Sequence, residues 1–359
     1  MSFTHDRATI TDVARAANVG LATASRALNG RRGVSSATAQ NVLETAARLG
    51  YVPNRMARQL RSRRSGVVGL LVASLGNPSY ELYVRGAVQA AGQLGFSMFI
   101  CDAEYDDDLY RTHLRRLLEH QVDGLIVSEQ IVAPELLDPY HAAGITVDPD
   151  PADPAGEFGA AKRISMRAAF MEAYGDLARM GHRRLAYVKV ARPGAPPRPR
   201  SEERIQMLRD AFAKTDHATV ELWDVPGQAG VEEYVANSLS QPEGPTALVV
   251  SSMALHGVLL AVERLRIEVP GALSIICVGE VPWSRFCRPA LSTVGSDQFE
   301  RGTRAARRVI GTLMSDPDLV SRNEAPPFRY VRRDSVGPPS HGEIAQHQLR
   351  SRPFTGSNR

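Results

Sequence analysis

The chain has 359 residues, 43% of them hydrophobic, and a formal charge of +4. That length holds two or three folded units with substantial cores. Its three cysteines (Cys101, Cys277, Cys287) lack metal-ligand spacing and read as reduced thiols, which excludes a disulfide scaffold. No apolar run approaches a membrane span and "MSFTHDRATITD" lacks the apolar stretch of a signal peptide, so the sequence reads as cytoplasmic with no membrane partner.

Charge is distributed unevenly. Residues 1–64 carry eleven arginines against Asp6, Asp12 and Glu44, a surplus of eight, which leaves the rest of the chain mildly acidic. A small basic head on an acidic body is the footprint of a polyanion binder. Within that head Ile10, Val13, Ala14 and Ala17 fall at helical spacing, with Thr11 as the expected cap and Asp12 in the first turn. "NVG" (18–20) interrupts the pattern, and Leu21–Leu28 resumes it. Ala24 and Leu28 then point inward, while Leu21, Ala22, Ser25, Arg26 and Asn29 point away. Two short helices joined by a Gly-containing turn describe a helix-turn-helix. A third helix is expected over 36–49, capped by Ser35, with Val42, Leu43 and Ala46 on its apolar side and Gly50 ending it. In "YVPNRMARQLRSRRSG", Pro53 forces a break and Asn54 can cap a helix of some eight residues. That is below the roughly 12–15 an isolated helix needs, so it should form only when something holds it.

From Val67 the pattern changes to strand-then-helix units. The strands are "VVGLLVA", "FSMFICDA", "VDGLIVSE" and "GITVDP", then, after residue 163, "RRLAYVKV", "VELWDV", "TALVVSS" and "LSIICVG". Helices "YELYVRGAVQAAGQLG", "DLYRTHLRRLLEHQ", "RAAFMEAYGDLARMG", "EERIQMLRDAFAK", "VEEYVANSLS" and "ALHGVLLAVERL" alternate with them. Such alternation means α/β with parallel sheets, here in two series, and a ligand site beyond the strands' carboxyl ends or between the lobes. The stretch from Ser335 to Arg359, rich in Pro, Gly, Ser, Gln and Arg, reads as a disordered tail, and "RPGAPPRP" as a surface loop. Asp106, Asp107 and Asp108 read as first-turn helix acids rather than a metal site, and His113 and His120 as a solvated helix face. No P-loop, dinucleotide fingerprint, HExxH or nucleophile elbow is present, so the reading is of a protein that is not an enzyme and has no cofactor or metal.

"ATITDVARAANVGLATASRALNG" and "GYVPNRMARQLRSRRS" resemble the head and hinge of the lac-repressor (LacI/GalR) family. "NPSYELYVRGAVQAA", "VDGLIVSE", "GHRRLAYV", "VPGALSIICVGEVP", "RPALSTVGSDQFERGTRAA" and "VRRDSVGPP" resemble its sensor in the same order. The resemblance covers about residues 8–337. It implies a helix-turn-helix head (1–52), a hinge helix and linker (53–65) and a two-lobed, periplasmic-binding-protein-like sensor (66–338). Lobe 1 would take 66–163 and 291–325, lobe 2 would take 164–290 and 326–338, and the tail would be 339–359.

The resemblance also implies a dimeric repressor on a near-palindromic operator, with DNA affinity modulated by a small molecule between the lobes. Leu21, Ala22, Ser25 and Arg26 match its base-reading helix. A guanidinium can bind guanine O6 and N7 together, worth about 1–3 kcal/mol of discrimination. Thr9, Thr11, Thr23, Asn29, Ser35 and Thr38 match phosphate contacts. Asn54, Arg55, Ala57 and Leu60 match the hinge, Leu60 being the apolar wedge of the minor groove. Gly20 departs from the family's serine and removes a cap.

In the sensor, Arg204 matches the ligand-gripping arginine, and Tyr80, Ser251 and Trp283 complete the candidate effector set, with Trp223 as further stacking surface. The usual polar partners are missing, with Ser251 and Ser252 in place of an Asn-Asp pair, Gly279 in place of an aspartate, and Ser165 near the place of another. Neutral sugars should therefore fail as effectors, leaving one that is acidic, largely apolar or absent. A cytosolic solute-binding protein with a vestigial head is the alternative of another class, and salt-dependent DNA binding separates the two.

Overall fold

A computed structural model describes residues 8–30, 32–51, 64–128, 134–148, 157–191, 199–321 and 326–339. The chain divides into two compact units, Met1–Ser65 and Gly66–Arg359.

The first unit holds α1 (Ile10–Ala16), α2 (Leu21–Leu28) and α3 (Ser36–Arg48). Thr9, not Thr11, caps α1. Its hydroxyl accepts from Asp12 N while Asp12 Oδ2 accepts from Thr9 N at 2.9 Å, a reciprocal box that needs the three-residue spacing. Asn18 turns the chain at φ 51°, and Gly20 opens α2 without a side-chain cap. Ser35 caps α3 by accepting from Thr38 N, and Gly50 at φ 63° follows its end. The core consists of Val13, Ala14, Ala17, Ala24, Ala27, Val42 and Ala46, with Leu28 packed at its margin. Leu43, expected inside, is 47% exposed, because the inward face of α3 runs through Val42, Thr45 and Ala46. Asn41 Nδ2 donates to Ala17 O at 3.0 Å and ties α3 to the end of α1.

The second unit contains two sheets. The first is fully parallel, in the order β2-β1-β3-β4: β1 (Val67–Val72), β2 (Ser97–Asp102), β3 (Gly124–Val127) and β4 (Thr146–Asp148). It is covered by α4 (Pro78–Gln93), α5 (Asp107–Glu119) and α6 (Asp138–Ala142). Asp106 caps α5, with Leu109 N donating to its Oδ1 at 2.8 Å, so the acid run is helix-start chemistry. His113 is half-buried, its Nε2 at 3.1 Å from Asp102 O, and is tied to the sheet rather than solvated as the sequence suggested.

The second sheet runs β10-β9-β8-β7-β5-β6: β5 (Arg184–Ala191), β6 (Thr219–Pro226), β7 (Ala247–Ser251), β8 (Ser274–Val278), β9 (Ser292–Gly295) and β10 (Arg329–Val331). Only β10 is antiparallel to its neighbour. One face packs on α7 (Glu157–Arg179) and α8 (Pro199–Phe212) through Phe170, Tyr174, Tyr187, Ile205 and Leu208. The other packs on α9 (Val231–Leu239) and α10 (Leu255–Leu265) through Val188, Val235, Val250 and Val258.

Three features depart from the expected boundaries. A return to lobe 1 at residue 291 is wrong, since Ser292–Gly295 is β9, hydrogen-bonded to β8 in the second sheet. The chain leaves that sheet after Gly295, and Asp297 caps α11 (Gln298–Met314), which packs against α4 and the first sheet; α12 (Pro317–Ser321) follows. The boundary at 163/164 falls inside α7, which begins ten residues before the expected helix. Ser335, expected to start the tail, is fully buried, donates from its Oγ to Ile275 O at 2.6 Å and accepts from Ser292 N. Residues 340–359 lie outside the described residues.

Candidate DNA interface and inter-lobe cleft

On the head, α2 presents Leu21, Ala22 and Arg26 to solvent, with Ser25 and Thr23 half-buried between them. Ala24 and Ala27, at 0% and 6% exposure, form the opposite face and fix the helix against α1 and α3. Arg26 Nε donates to Ala22 O at 3.3 Å, one helical turn back, and makes no ion pair in the described structure. A guanidinium resting on its own helix can swing to an acceptor at low cost. Asn29 Nδ2 donates to Ser25 O at 2.7 Å and closes the helix end.

The hydroxyls expected at phosphates are engaged locally. Thr9 Oγ1 donates to Asp12 Oδ2 at 2.6 Å, and these hydrogen bonds hold the Asp12 carboxyl below its ordinary pKa. Ser35 Oγ and Thr38 Oγ1 lie 2.8 Å apart at the start of α3. Both pairs sit at helix N-termini, where free amides and the helix dipole attract anions, so capping and phosphate binding are compatible there. Thr11 is exposed in the first turn of α1. Asn54, Arg55, Ala57 and Leu60 lie outside the described residues.

In the second unit, the carboxyl ends of the two sheets face a common cleft. The first-lobe rim is the start of α4, where Asn77 Oδ1 caps Ser79 N at 3.1 Å. The same oxygen accepts from Ser252 Oγ of the second lobe at 2.8 Å, a direct bond between lobes. Gly279, at φ 104°, completes the contact, and a Cβ there would fall 2.5 Å from Ser79 Oγ. The left-handed backbone favours glycine at 279, and a Cβ there would require the Ser79 hydroxyl to turn away.

Arg204 lies on α8 above the second sheet. Its guanidinium sits 5.3 Å from the Phe170 ring centroid and hydrogen-bonds the Tyr187 hydroxyl, and Tyr174 Oη donates to Arg204 O at 3.2 Å. Burial raises the pKa values of both tyrosines, so they are neutral. Tyr187 pairs with Val249, two residues before Ser251, so Ser251 shares the sheet face that carries Tyr187 and Arg204. Arg204 and Ser251 thus lie on the same face of the second sheet.

The other candidates lie elsewhere. Tyr80 is 5% exposed and packs in the first-lobe core, edge-on to Tyr83. Trp223 is buried beneath α9, donating from Nε1 to Glu221 at 2.8 Å, and Trp283 packs on that same core. Aromatic residues in apolar surroundings were core here rather than ligand platforms. Ser165 Oγ accepts from Phe328 N at 3.3 Å and fastens the returning chain.

Sequence reasoning missed Asn77, Lys189 and Glu280. Lys189 ends the apolar run of β5, with Nζ 2.9 Å from Asp224 and 3.8 Å from Glu202. A lone cation at the carboxyl end of an apolar strand was its signal. Glu280 accepts from Arg333 at 2.8 Å, Ser284 at 2.9 Å and Thr293, and anchors the turn after Gly279. No group of three potential metal ligands occurs among the described residues.

Three family models match the chain in order. Residues 9–54 match the lacI family of bacterial regulatory proteins, 65–147 the periplasmic binding proteins and sugar binding domain of the LacI family, and 174–336 a periplasmic binding protein-like domain. Catabolite control protein A of Priestia megaterium is 30% identical over 341 residues, covering 91% of this chain and 99% of that protein. Its namesake from Staphylococcus xylosus is 25% identical over 330 residues, with the same coverage. The lac repressor dimer bound to operator and the anti-inducer ONPF superposes with a TM-score of 0.72 at 21% identity, over 92% of this chain and 100% of that one. A LacI-family regulator from Silicibacter pomeroyi gives 0.73 at 23%, over 92% of this chain and 99% of that one. At these identities both structures speak for the fold.

Proposed function

This chain belongs to the lacI family of bacterial regulatory proteins, and from that premise we propose that it is a dimeric repressor acting on a near-palindromic operator. It is a DNA-binding transcriptional regulator. The observation that carries the finer reading is the exposed face of α2, with Leu21, Ala22 and Arg26 outward on a head whose arginines outnumber its acids eleven to three. In this reading Arg26 reads a guanine, Leu21, Ala22 and Ser25 contact neighbouring base edges, and Thr9, Thr11, Thr23, Asn29, Ser35 and Thr38 contact phosphates. The hinge, with Asn54, Arg55 and Ala57 around Leu60, enters the minor groove, and two-fold symmetry of the protein sets the symmetry of the site.

The cleft is the effector site, with Arg204 and Ser251 as its second-lobe residues. Tyr80 is left out of it as buried in the first-lobe core, and Trp283 as packed, partly buried, against the second-lobe core. The protein works in the cytoplasm, where its DNA is, and catalyses no reaction. Among the described residues no helix is long and apolar enough to cross a membrane. Salt titration of operator binding tests the reading. A polyanion binder loses affinity steeply and linearly on logarithmic axes as salt rises, whereas a solute-binding protein with a vestigial head shows no salt-dependent DNA affinity.

A further inference from the structure

Asn77 Oδ1 carries two hydrogen bonds at once. It accepts from Ser79 N at 3.1 Å, capping α4 within the first lobe, and from Ser252 Oγ at 2.8 Å across the cleft. Ser79 and Ser252 are buried, at 8% and 7% exposure. Nδ2 of the same Asn77 donates to Tyr105 Oη at 3.4 Å. Both ends of the carboxamide are thus held on the first lobe, and one of them also reaches the second.

The bond has company on both sides. Loop 74–79, which follows β1, meets second-lobe residues that follow three different strands. Ser252 comes directly after β7. Gly279 comes directly after β8, and a Cβ built there would lie 2.5 Å from Ser79 Oγ. Gln228 lies just beyond β6, and a Cβ on Gly76 would lie 3.9 Å from its Oε1. The loop itself is shaped from within its own lobe, with Leu75 N donating to Asp102 Oδ2 at 3.0 Å and Gly76 N to Ser74 Oγ at 3.1 Å.

Every atom of this bridge belongs to the chain, so closure of the lobes has a source in their own side chains. The bridge is also readily undone. Ser252 can leave while Asn77 goes on capping α4, and water takes up both freed groups, so a single neutral hydrogen bond separates shut from open. We propose that Asn77 and Ser252 form a reversible latch between the lobes, which any molecule entering the cleft must release. The consequence for regulation rests on the reading of the cleft as the effector site. A ligand that needs the open form binds with its intrinsic affinity reduced to the fraction of molecules that are open, so the latch sets the concentration at which it acts.

Hydrogen exchange on the full-length protein tests this, because protection of an amide reports the free energy of the opening that exposes it. Ser252→Ala, a change in the second lobe, should lower the protection of amides 75–80 in the first lobe about two- to tenfold. Asn77→Asp keeps an acceptor for both Ser79 N and Ser252 Oγ and makes it a charged one, so protection there should equal or exceed the parent's. A purely local role for Ser252 would loosen residues 247–258 and leave 75–80 as protected as in the parent, which would overturn the latch. Loss of protection at 75–80 in Asn77→Asp as large as in Ser252→Ala would overturn it too. Neither operator nor effector enters the measurement. Its failure removes the latch and leaves the regulator standing, while an effector found bound outside the cleft removes the effector-site reading and leaves the latch.

Discussion

Arg26 and Gly279 show how much single positions decide in this molecule. Among the described residues Arg26 hydrogen-bonds the Ala22 carbonyl, and it is exposed, so its removal leaves no buried charge and little strain. Arg26→Ala should therefore keep the melting temperature of the head while weakening operator binding by about 1–3 kcal/mol and relaxing preference at one base pair per half-site. Fluorescence anisotropy on operators varied base by base reads both effects. Gly279 combines φ 104° with contact against Ser79. Gly279→Ala should cost about 1–3 kcal/mol, the usual charge for an L side chain in so sparsely populated a conformation. A urea denaturation midpoint indistinguishable from the parent would argue against the strain. At this scale the sequence was informative wherever chemistry is local. Asp106 could be picked out as a cap from its place before a helix. The burial of Tyr80 was not legible, because burial is a long-range property that a residue's identity does not carry. Asn77 was missed because its second partner, Ser252, is 175 residues away.

Elements were legible where periodicity and capping agree. The alternation of apolar runs with amphipathic stretches located β1 to β8 and most of their helices to within a few residues; α7 starts earlier than expected, and the five-residue α6 was not foreseen. It missed β9 and β10, which are four and three residues long and owe their existence to pairing with β8 and with each other. That pairing also moved the lobe boundary past Gly295. His182 shows such long-range joining in one residue. It is 1% exposed between α7 and β5, with Nδ1 2.9 Å from Thr246 Oγ1 and Nε2 2.9 Å from Gly337 O, and so ties the chain's return to the second sheet. Burial lowers its pKa below the ordinary 6.5, against a smaller opposing pull from the Gly337 bond. The neutral ring is therefore the folded form. Its contribution to stability is complete above about pH 6.5 and is lost as pH falls from there through the lower folded-state value. Melting temperature should drop with acidification in that window, and His182→Gln should flatten the drop while lowering the neutral-pH value. For the hinge, Leu60→Ser should abolish operator bending yet leave sensor stability and weak nonspecific binding intact, because an apolar wedge acts only on stacked bases. Equal bend angles for variant and parent in circular-permutation gel shifts would contradict that role.

The whole molecule divides its work between two units of opposite charge. The basic head carries the sequence-reading surface, and the acidic body carries a cleft whose lobes close on each other through Asn77, Ser252 and Gly279. The division into a head and two parallel-sheet lobes was readable from charge and alternation, because both are summed over tens of residues and survive local errors. The pairing of the acids at the end of β5 was not, since only the folded arrangement shows Lys189 facing Asp224 and Glu202. In the proposed function the exposed face of α2, duplicated by a two-fold axis, reads a specific DNA sequence. Selection of binding sites from random duplexes by the full-length protein tests it most directly. A near-palindromic site with two equivalent half-sites should be enriched. No enrichment over the starting pool, or a single unrepeated half-site, would contradict it.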